Sequence, residues 1–384
     1  MTPAARYQTA AEILDEILGG VAAEKALTNW ARRARFAGSK DRAAVRDHVF
    51  DVLRQRQSCA ARGGPDGRGL ILGLLRGDGI DPDTVFTGDG YGPAVLSEAE
   101  REAGQAGDVL DLPAWIVAPM REALGEDFDR TERALRERAP VMLRVNLAKS
   151  DPAAARAALA DEGVTAEPVA GSATALVVTE GARRIRLGRA YLDGLVELQD
   201  GSSQAAVGAL AGRAPARVLD YCAGGGGKSL ALAALCSAEI YAHDADPARM
   251  SDLPERATRA GAEITRLDRE EIAGHAPYDL VICDVPCSGS GTWRRTPEMK
   301  WRFSEADLAA LVQTQAEILD EAAAYVAPGG YLAYMTCSIL AEENEAQTED
   351  FGARHPGFAL RGTRRWPVSA SGDGFFLAQF ERVS

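Results

Sequence analysis

Apolar positions change their period twice along this chain. In the first third they recur at helical spacing: Ile13, Leu14, Ile17 and Leu18 form a stripe that Gly19-Gly20 ends. Ser39 opens a second predicted helix with Val45, Val49, Val52 and Leu53 on one face. Ser97 with Glu100 three residues on is the capping-box pattern of a third helix, and Gly63-Gly64-Pro65 breaks the chain between helices. From about 139 to 200 the segments shorten. Residues 141–146, 175–179 and 190–198 read as extended, and Asp151-Pro152 caps a short helix. From about 201 strands and helices alternate. Residues 217–221 form a strand entering a glycine-rich loop, followed by a helix at 229–238 and strands at 239–243 and 279–284. Ser304, with Asp307 three on, starts a long helix, and Pro328-Gly329-Gly330 turns the chain into a strand at 331–336. This alternation predicts an α/β fold with a mostly parallel, doubly wound sheet over 201–384. A small α+β element at 139–200 and an all-helical domain at 1–138 precede it. Ligands of such a sheet sit beyond the carboxyl ends of its strands.

Composition narrows the class. With 384 residues, 46% hydrophobic and 26% charged, the chain suits two or three globular domains, not a disordered, collagenous or coiled-coil protein. No apolar run reaches the ~18–20 residues of a membrane span, and the acidic, amphipathic N-terminus lacks a secretory pattern. A cytoplasmic protein without a membrane partner is expected. Six cysteines without a CxxC pair, and four histidines, speak against a disulfide scaffold and a structural zinc, so no metal is expected. The net charge of −13 excludes a generally basic surface but leaves room for a local basic groove. Arg183, Arg184, Arg186 and Arg189 cluster, and by themselves read as a solvated face.

The segment VLDYCAGGGGKSLALAA at 218–234 sets four glycines between a strand and a helix. Glycine admits close approach of a ligand, and amides at a helix start attract an anion. Gly227-Lys228-Ser229 mimics the end of a P-loop, but the first glycine of that motif falls on Cys222, which weakens a nucleotide-triphosphatase reading. The competing ligand is an adenosyl cofactor. Asp244 stands where an acid would bond the ribose hydroxyls, and Asp268, after the next segment, where one could reach the adenine. Taken singly, either aspartate is also an ordinary turn carboxylate.

Two cysteines end two predicted strands. YDLVICD leads into Asp284-Val285-Pro286-Cys287-Ser288, and GGYLAYM leads into Thr336-Cys337-Ser338. If these strands are parallel neighbours, Asp284, Cys287 and Cys337 surround one cleft beside the glycine loop. A thiolate there suits methylation at carbon 5 of cytosine, a poor nucleophile until a thiolate adds to carbon 6. The attacking thiol needs donors or cations nearby to ionise. A buried cysteine without such company is a small hydrophobe.

These residues carry a family resemblance. DYCAGGGGKS, CDVPCSGSGTWRRTPEMKW and YMTCSILAEENE resemble the motifs of the Sun/Nop (RsmB-like) family of S-adenosylmethionine-dependent RNA cytosine-5 methyltransferases. Gln199-Asp200, Ser203-Gln204 and DGFF at 373–376 extend the match, and GSKDRAAVRDHVFDVLR resembles a NusB-like domain. The resemblance implies a Rossmann-like class I methyltransferase domain at 201–384, an RNA-binding α+β element at 139–200 and a NusB-like RNA-binding domain at 1–138. It implies Cys337 as the nucleophile, Cys287 as the residue assisting product release, and Asp284 as a contact to the cytosine ring. It places S-adenosyl-L-methionine on Cys222, Ala223, Gly224, Gly225, Gly226, Gly227, Lys228, Asp244, Asp268 and Asp284. The chain departs from the family at Gly225, where proline is usual, at Val285, where alanine is, and at Thr296 and Gln379.

A stacked base cannot be reached by two groups at once, so the target must be single-stranded or flipped. Arg294, Arg295, Lys300 and Trp301 follow the Cys287 loop and combine cations with an aromatic, as a strand-binding surface does. Arg144 and Asn146 are further candidates from the middle element. The expected partner is small-subunit rRNA, with tRNA as the alternative, acted on by a monomer. A non-catalytic ribosome-assembly factor is the competing class.

Overall fold

Thr2 and Gly19 bound the first helix, Pro3–Leu18, in the computed structural model: the threonine hydroxyl accepts from the Ala5 amide at 3.2 Å. The helix Ser39–Arg54 follows as expected, and the Gly63-Gly64-Pro65 break separates Arg56–Gly63 from Gly67–Gly77. The capping box at Ser97 forms but caps only one turn, Glu98–Arg101. The structure describes residues 1–102, 107 and 109–383. The chain divides into two compact units.

The first unit comprises Met1–Ala118, Glu126–Arg138 and Trp293–Phe303. No strand occurs among its described residues. Ile13, Leu14, Val45, Val49, Val52 and Leu70 are buried together in its core, as the helical stripes predict, and Trp301 packs against them. The segment Trp293–Phe303 thus belongs with helices that lie far from it in sequence.

The second unit comprises Pro119–Gly125, Ala139–Thr292 and Ser304–Ser384 and contains two sheets. The smaller has strands β1 (Val141–Val145), β2 (Thr165–Pro168), β3 (Ala175–Glu180) and β4 (Val196–Leu198) in the order β2-β3-β1-β4, all antiparallel. Residues 190–198, expected to be extended, are strand only at the end. Ala182–Leu187 is a 3-10 turn, which Gly181, at φ 77°, introduces, and Arg189–Leu192 is a short helix.

The larger sheet holds β5 (Arg217–Asp220), β6 (Glu239–Ala242), β7 (Ile264–Arg266), β8 (Tyr278–Asp284), β9 (Val326–Thr336), β10 (Phe358–Trp366) and β11 (Phe375–Arg382). Their order is β10-β11-β9-β8-β5-β6-β7, with β5 to β9 parallel, β11 antiparallel to β9 and β10 antiparallel to β11, so that β11 alone runs against the rest. Alternate residues of β5 and β8 go to opposite faces, as the pleat requires. Val218, Leu280 and Ile282 pack with Ala206, Val207, Leu210 and Leu232, whereas Leu219, Val281 and Cys283 pack with Leu319 and Ala322. The helix Glu305–Ala323 starts at the expected capping box of Ser304 and Asp307. Pro328-Gly329-Gly330 lies within β9, where the register against β8 jumps from Tyr278–Val326 to Leu280–Tyr331, so the expected turn is an interruption inside the strand. The chain runs outward from β5 to β7 and returns on the other side of β5 as β8. That reversal leaves a crevice beyond the ends of β5 and β8, which finish at Asp220 and Asp284. No helix among the described residues is long and apolar enough to cross a membrane.

Candidate active site

The loop after β5 is held by hydrogen bonds from both flanks. Tyr221 N donates to Ile282 O and Ala223 N to His243 O, each at 2.8 Å, and Gly224 N donates to Asp244 Oδ2 at 2.8 Å. Gly224 and Gly226 have φ of 51° and 75°, and a Cβ on Gly226 would stand 2.2 Å from Leu253. Only glycine fits there. The Gly227 carbonyl accepts from Arg144 Nη1 at 2.8 Å and Gln199 Nε2 at 3.2 Å.

A cavity of about 360 Å³ opens over this loop, lined among others by Asp220, Cys222, Gly224, Lys228, Asp284 and Cys337. Lys228 Nζ donates to the Asp284 carboxylate. Burial opposes the Lys228 charge, but Asp284 and Asp220 outweigh it and hold the ammonium above its usual range; Cys337 adds in the same direction. Cys287 Sγ lies 3.4 Å from Cys337 Sγ. Its thiol is pushed well up by the hydrogen bond to Cys337, by burial and by the Glu343 carboxylate. A second cavity of about 550 Å³ is lined by Asp244, Asp268, Pro286 and Ile318 and shares Cys222 and Arg249 with the first. Arg249 pairs with Asp244 at 3.1 Å.

The adenosyl-type positions therefore assemble around two adjoining cavities, with Ala223 and Gly225 on the first. Gly226 serves the turn instead. Cys283 and Cys59 are fully buried, and burial raises both thiols, Cys59 to about 12, as inert hydrophobes. Among the described residues no group of acids, cysteines or histidines is arranged to hold a metal ion.

The residues expected on the RNA surface sit differently. Arg144 is 3% exposed and braces Gln199 and Gly227, and burial lowers its guanidinium to about 10. Asn146 donates to Gly194 O at 3.0 Å and Ala260 O at 2.9 Å, joining β1 to the end of the helix Leu253–Ala260. In the first unit Lys300, 1% exposed, donates to Arg54 O at 2.9 Å, and Trp301 Nε1 donates to Leu53 O at 2.6 Å. The Arg294 carbonyl accepts from Arg54 Nε at 2.8 Å, and its side chain is buried. Only Arg295 of this set is exposed. Arg144 and Lys300 act here as braces, their charged ends donating to oxygens of other segments.

Sequence reading gave no role to Asp220 or Glu343. Asp220 is 1% exposed; Oδ2 accepts from Ser229 Oγ at 2.6 Å, and Oδ1 has no partner. Burial pushes this carboxyl up to about 6. Its place as the last residue of β5 was the available signal. Glu343 lies in the acidic run after Cys337 and is fully buried.

A seven-stranded sheet with its loop and crevice at the β5–β8 reversal defines a Rossmann-like methyltransferase fold. The protein PH0851 superposes with a TM-score of 0.74 at 23% identity over 99% of both chains. A methyltransferase homologue from Pyrococcus horikoshii does so with 0.59 at 24% identity, over 69% of this chain and 93% of that one. Residues 207–381 match the 16S rRNA methyltransferase RsmB/F family, and residues 112–183 match the ferredoxin-like domain of RsmF/B-like methyltransferases. Residues 112–381 thus resemble, in order, the two domains of RsmB/F-like methyltransferases. It is 31% identical over 281 residues to the ribosomal RNA small subunit methyltransferase B of Citrobacter koseri, which covers 70% of this chain. The chain spans 65% of the length of that relative.

Proposed function

We propose that this protein is an S-adenosylmethionine-dependent cytosine-5 methyltransferase of small-subunit rRNA. The observation that carries the reading is the pair of thiols 3.4 Å apart at adjacent parallel strand ends, beside the Lys228–Asp284 pair and the glycine loop. Asp220 supports the cofactor: its open buried oxygen suits an ammonium group, and Asp244 and Asp268 line a cavity for the adenosyl end. When bound, S-adenosylmethionine supplies an electrophilic methyl group.

Cys337, as thiolate, adds to carbon 6 of a flipped cytosine, and the ring's π pair moves onto carbon 5. The Lys228 ammonium supplies a positive field for that thiolate. Asp284 contacts the ring and favours its protonated form. After carbon 5 is methylated its proton passes to solvent water, the C–H pair re-forms the carbon 5–carbon 6 double bond, and the Cys337–carbon 6 bond breaks with its pair returning to sulfur. Cys287, held as a thiol, assists that elimination. The helical unit and the small sheet add RNA-docking surface.

The test incubates the full chain with tritiated S-adenosylmethionine and transcripts of small-subunit rRNA or tRNA. Label in carbon 5 of rRNA cytosine is the expected result. Label in tRNA alone would move the substrate, and label in neither would favour a non-catalytic assembly factor.

A further inference from the structure

Glu343 has no part in the reaction above, yet its carboxylate accepts three hydrogen bonds behind the two thiols. It lies in the connection after β9 and is fully buried. A charge at that depth persists only where donors surround it. Oε1 accepts from Ser288 N at 2.8 Å and Gln315 Nε2 at 3.0 Å, and Oε2 accepts from Ser288 Oγ. The same Gln315 Nε2 donates to Pro286 O at 3.0 Å. The residues on either side of Cys287 are thus tied to one carboxylate. Ser288 Oγ continues to Ser338 Oγ at 3.3 Å, and Ser290 Oγ lies 3.0 Å from Ser338 Oγ, next to Cys337. Tyr334 OH, from β9 itself, donates to Gln315 Oε1 at 3.1 Å and to Glu343 O.

We propose that Glu343 is a positioning residue for the thiol pair, fixing the backbone around Cys287 so that its sulfur stays beside that of Cys337. A neutral residue of similar shape could supply some of these bonds. The charge adds a second effect, since a carboxylate behind Cys287 opposes a thiolate there and leaves Cys337 as the thiol free to attack. This assignment of roles rests on the function proposed above; the positioning does not.

The experiment therefore has two readouts on full-length Glu343→Ala and Glu343→Gln. The first needs neither RNA nor cofactor: dibromobimane bridges neighbouring thiols, and peptide mapping identifies a Cys287–Cys337 link. Glu343→Ala should lower the yield of that link about tenfold or more, as displacement of a reacting group by ~1 Å does in catalysis, and Glu343→Gln should recover part of it. The second is a denaturing gel. Glu343→Ala should accumulate an S-adenosylmethionine-dependent RNA adduct, as Cys287→Ala does, with unchanged affinity for S-adenosylhomocysteine. If Glu343→Ala fails to fold, Ser288→Ala should show smaller shifts of the same kind. Wild-type bridging in folded variants would overturn the proposal, as would loss of adduct and of cofactor affinity together. If Cys287→Ala itself traps no adduct, the catalytic reading fails while the bridging yield still decides the role of Glu343.

Discussion

Cys287 and Cys337 are 50 residues apart in sequence, and their sulfurs are 3.4 Å apart. Parallel pairing of β8 with β9 brings them together, with Asp284 opposite Met335 at the strand ends. Equal in chemistry and both half-buried, they differ in surroundings: the Glu343 carboxylate acts on Cys287 and holds its thiol up. Cys337→Ala should therefore abolish both methylation and covalent RNA. Cys287→Ala should retain a methylated RNA adduct on a denaturing gel, and the double variant should show none. An adduct in Cys337→Ala alone would exchange the two roles.

Asp244 takes a hydrogen bond from Gly224 N and an ion pair from Arg249, and lines the larger cavity. Asp244→Ala should weaken S-adenosylhomocysteine binding, measured by calorimetry, by about 1–3 kcal/mol through lost charge-assisted hydrogen bonds. Unchanged affinity would place the ribose elsewhere.

Asp220 gives a pH signature. Its carboxyl titrates at about 6 in the folded chain and near 3.8 ordinarily, because burial disfavours the charge. Between those values the unfolded chain holds fewer protons, so the stability due to this group is full below about 4 and is lost as pH rises through about 6. Asp220→Asn keeps an acceptor for Ser229 without the charge. It should stabilise the protein by on the order of 2 kcal/mol at pH 8 and give no gain at pH 4. Thermal melts at both pH values test this; a gain independent of pH would contradict it.

Lys300 is a brace of the first unit. Burial lowers its ammonium to about 8, and Nζ holds the Arg54 carbonyl. Lys300→Ala should cost about 1–3 kcal/mol of stability in denaturant unfolding by leaving that carbonyl unpaired. Its affinity for S-adenosylhomocysteine should match the wild type. A stable variant that loses only RNA binding would return Lys300 to the RNA surface.

The sequence by itself determined what depends on neighbours a few residues away. Helix starts at Ser39 and Ser304, the helix end at Gly19-Gly20, the Gly63-Gly64 break and the glycine loop follow from capping, period and left-handed φ, which act within one or two turns. The two cysteine motifs and the acids after β6 and β7 were legible because each ends a strand. Tertiary structure decided what depends on distant partners. Strand order put Cys287 beside Cys337, and pairing of β9 with the antiparallel β11 added that strand and β10 beyond it, which no local pattern announced. Burial reversed the apparent meaning of three charges. Arg144, Lys300 and Glu343 are each almost wholly enclosed and bonded to a residue at least 50 positions away. A side chain's charge is written in the sequence, but the cost of burying it and the donors that offset that cost are set by the packing of remote segments.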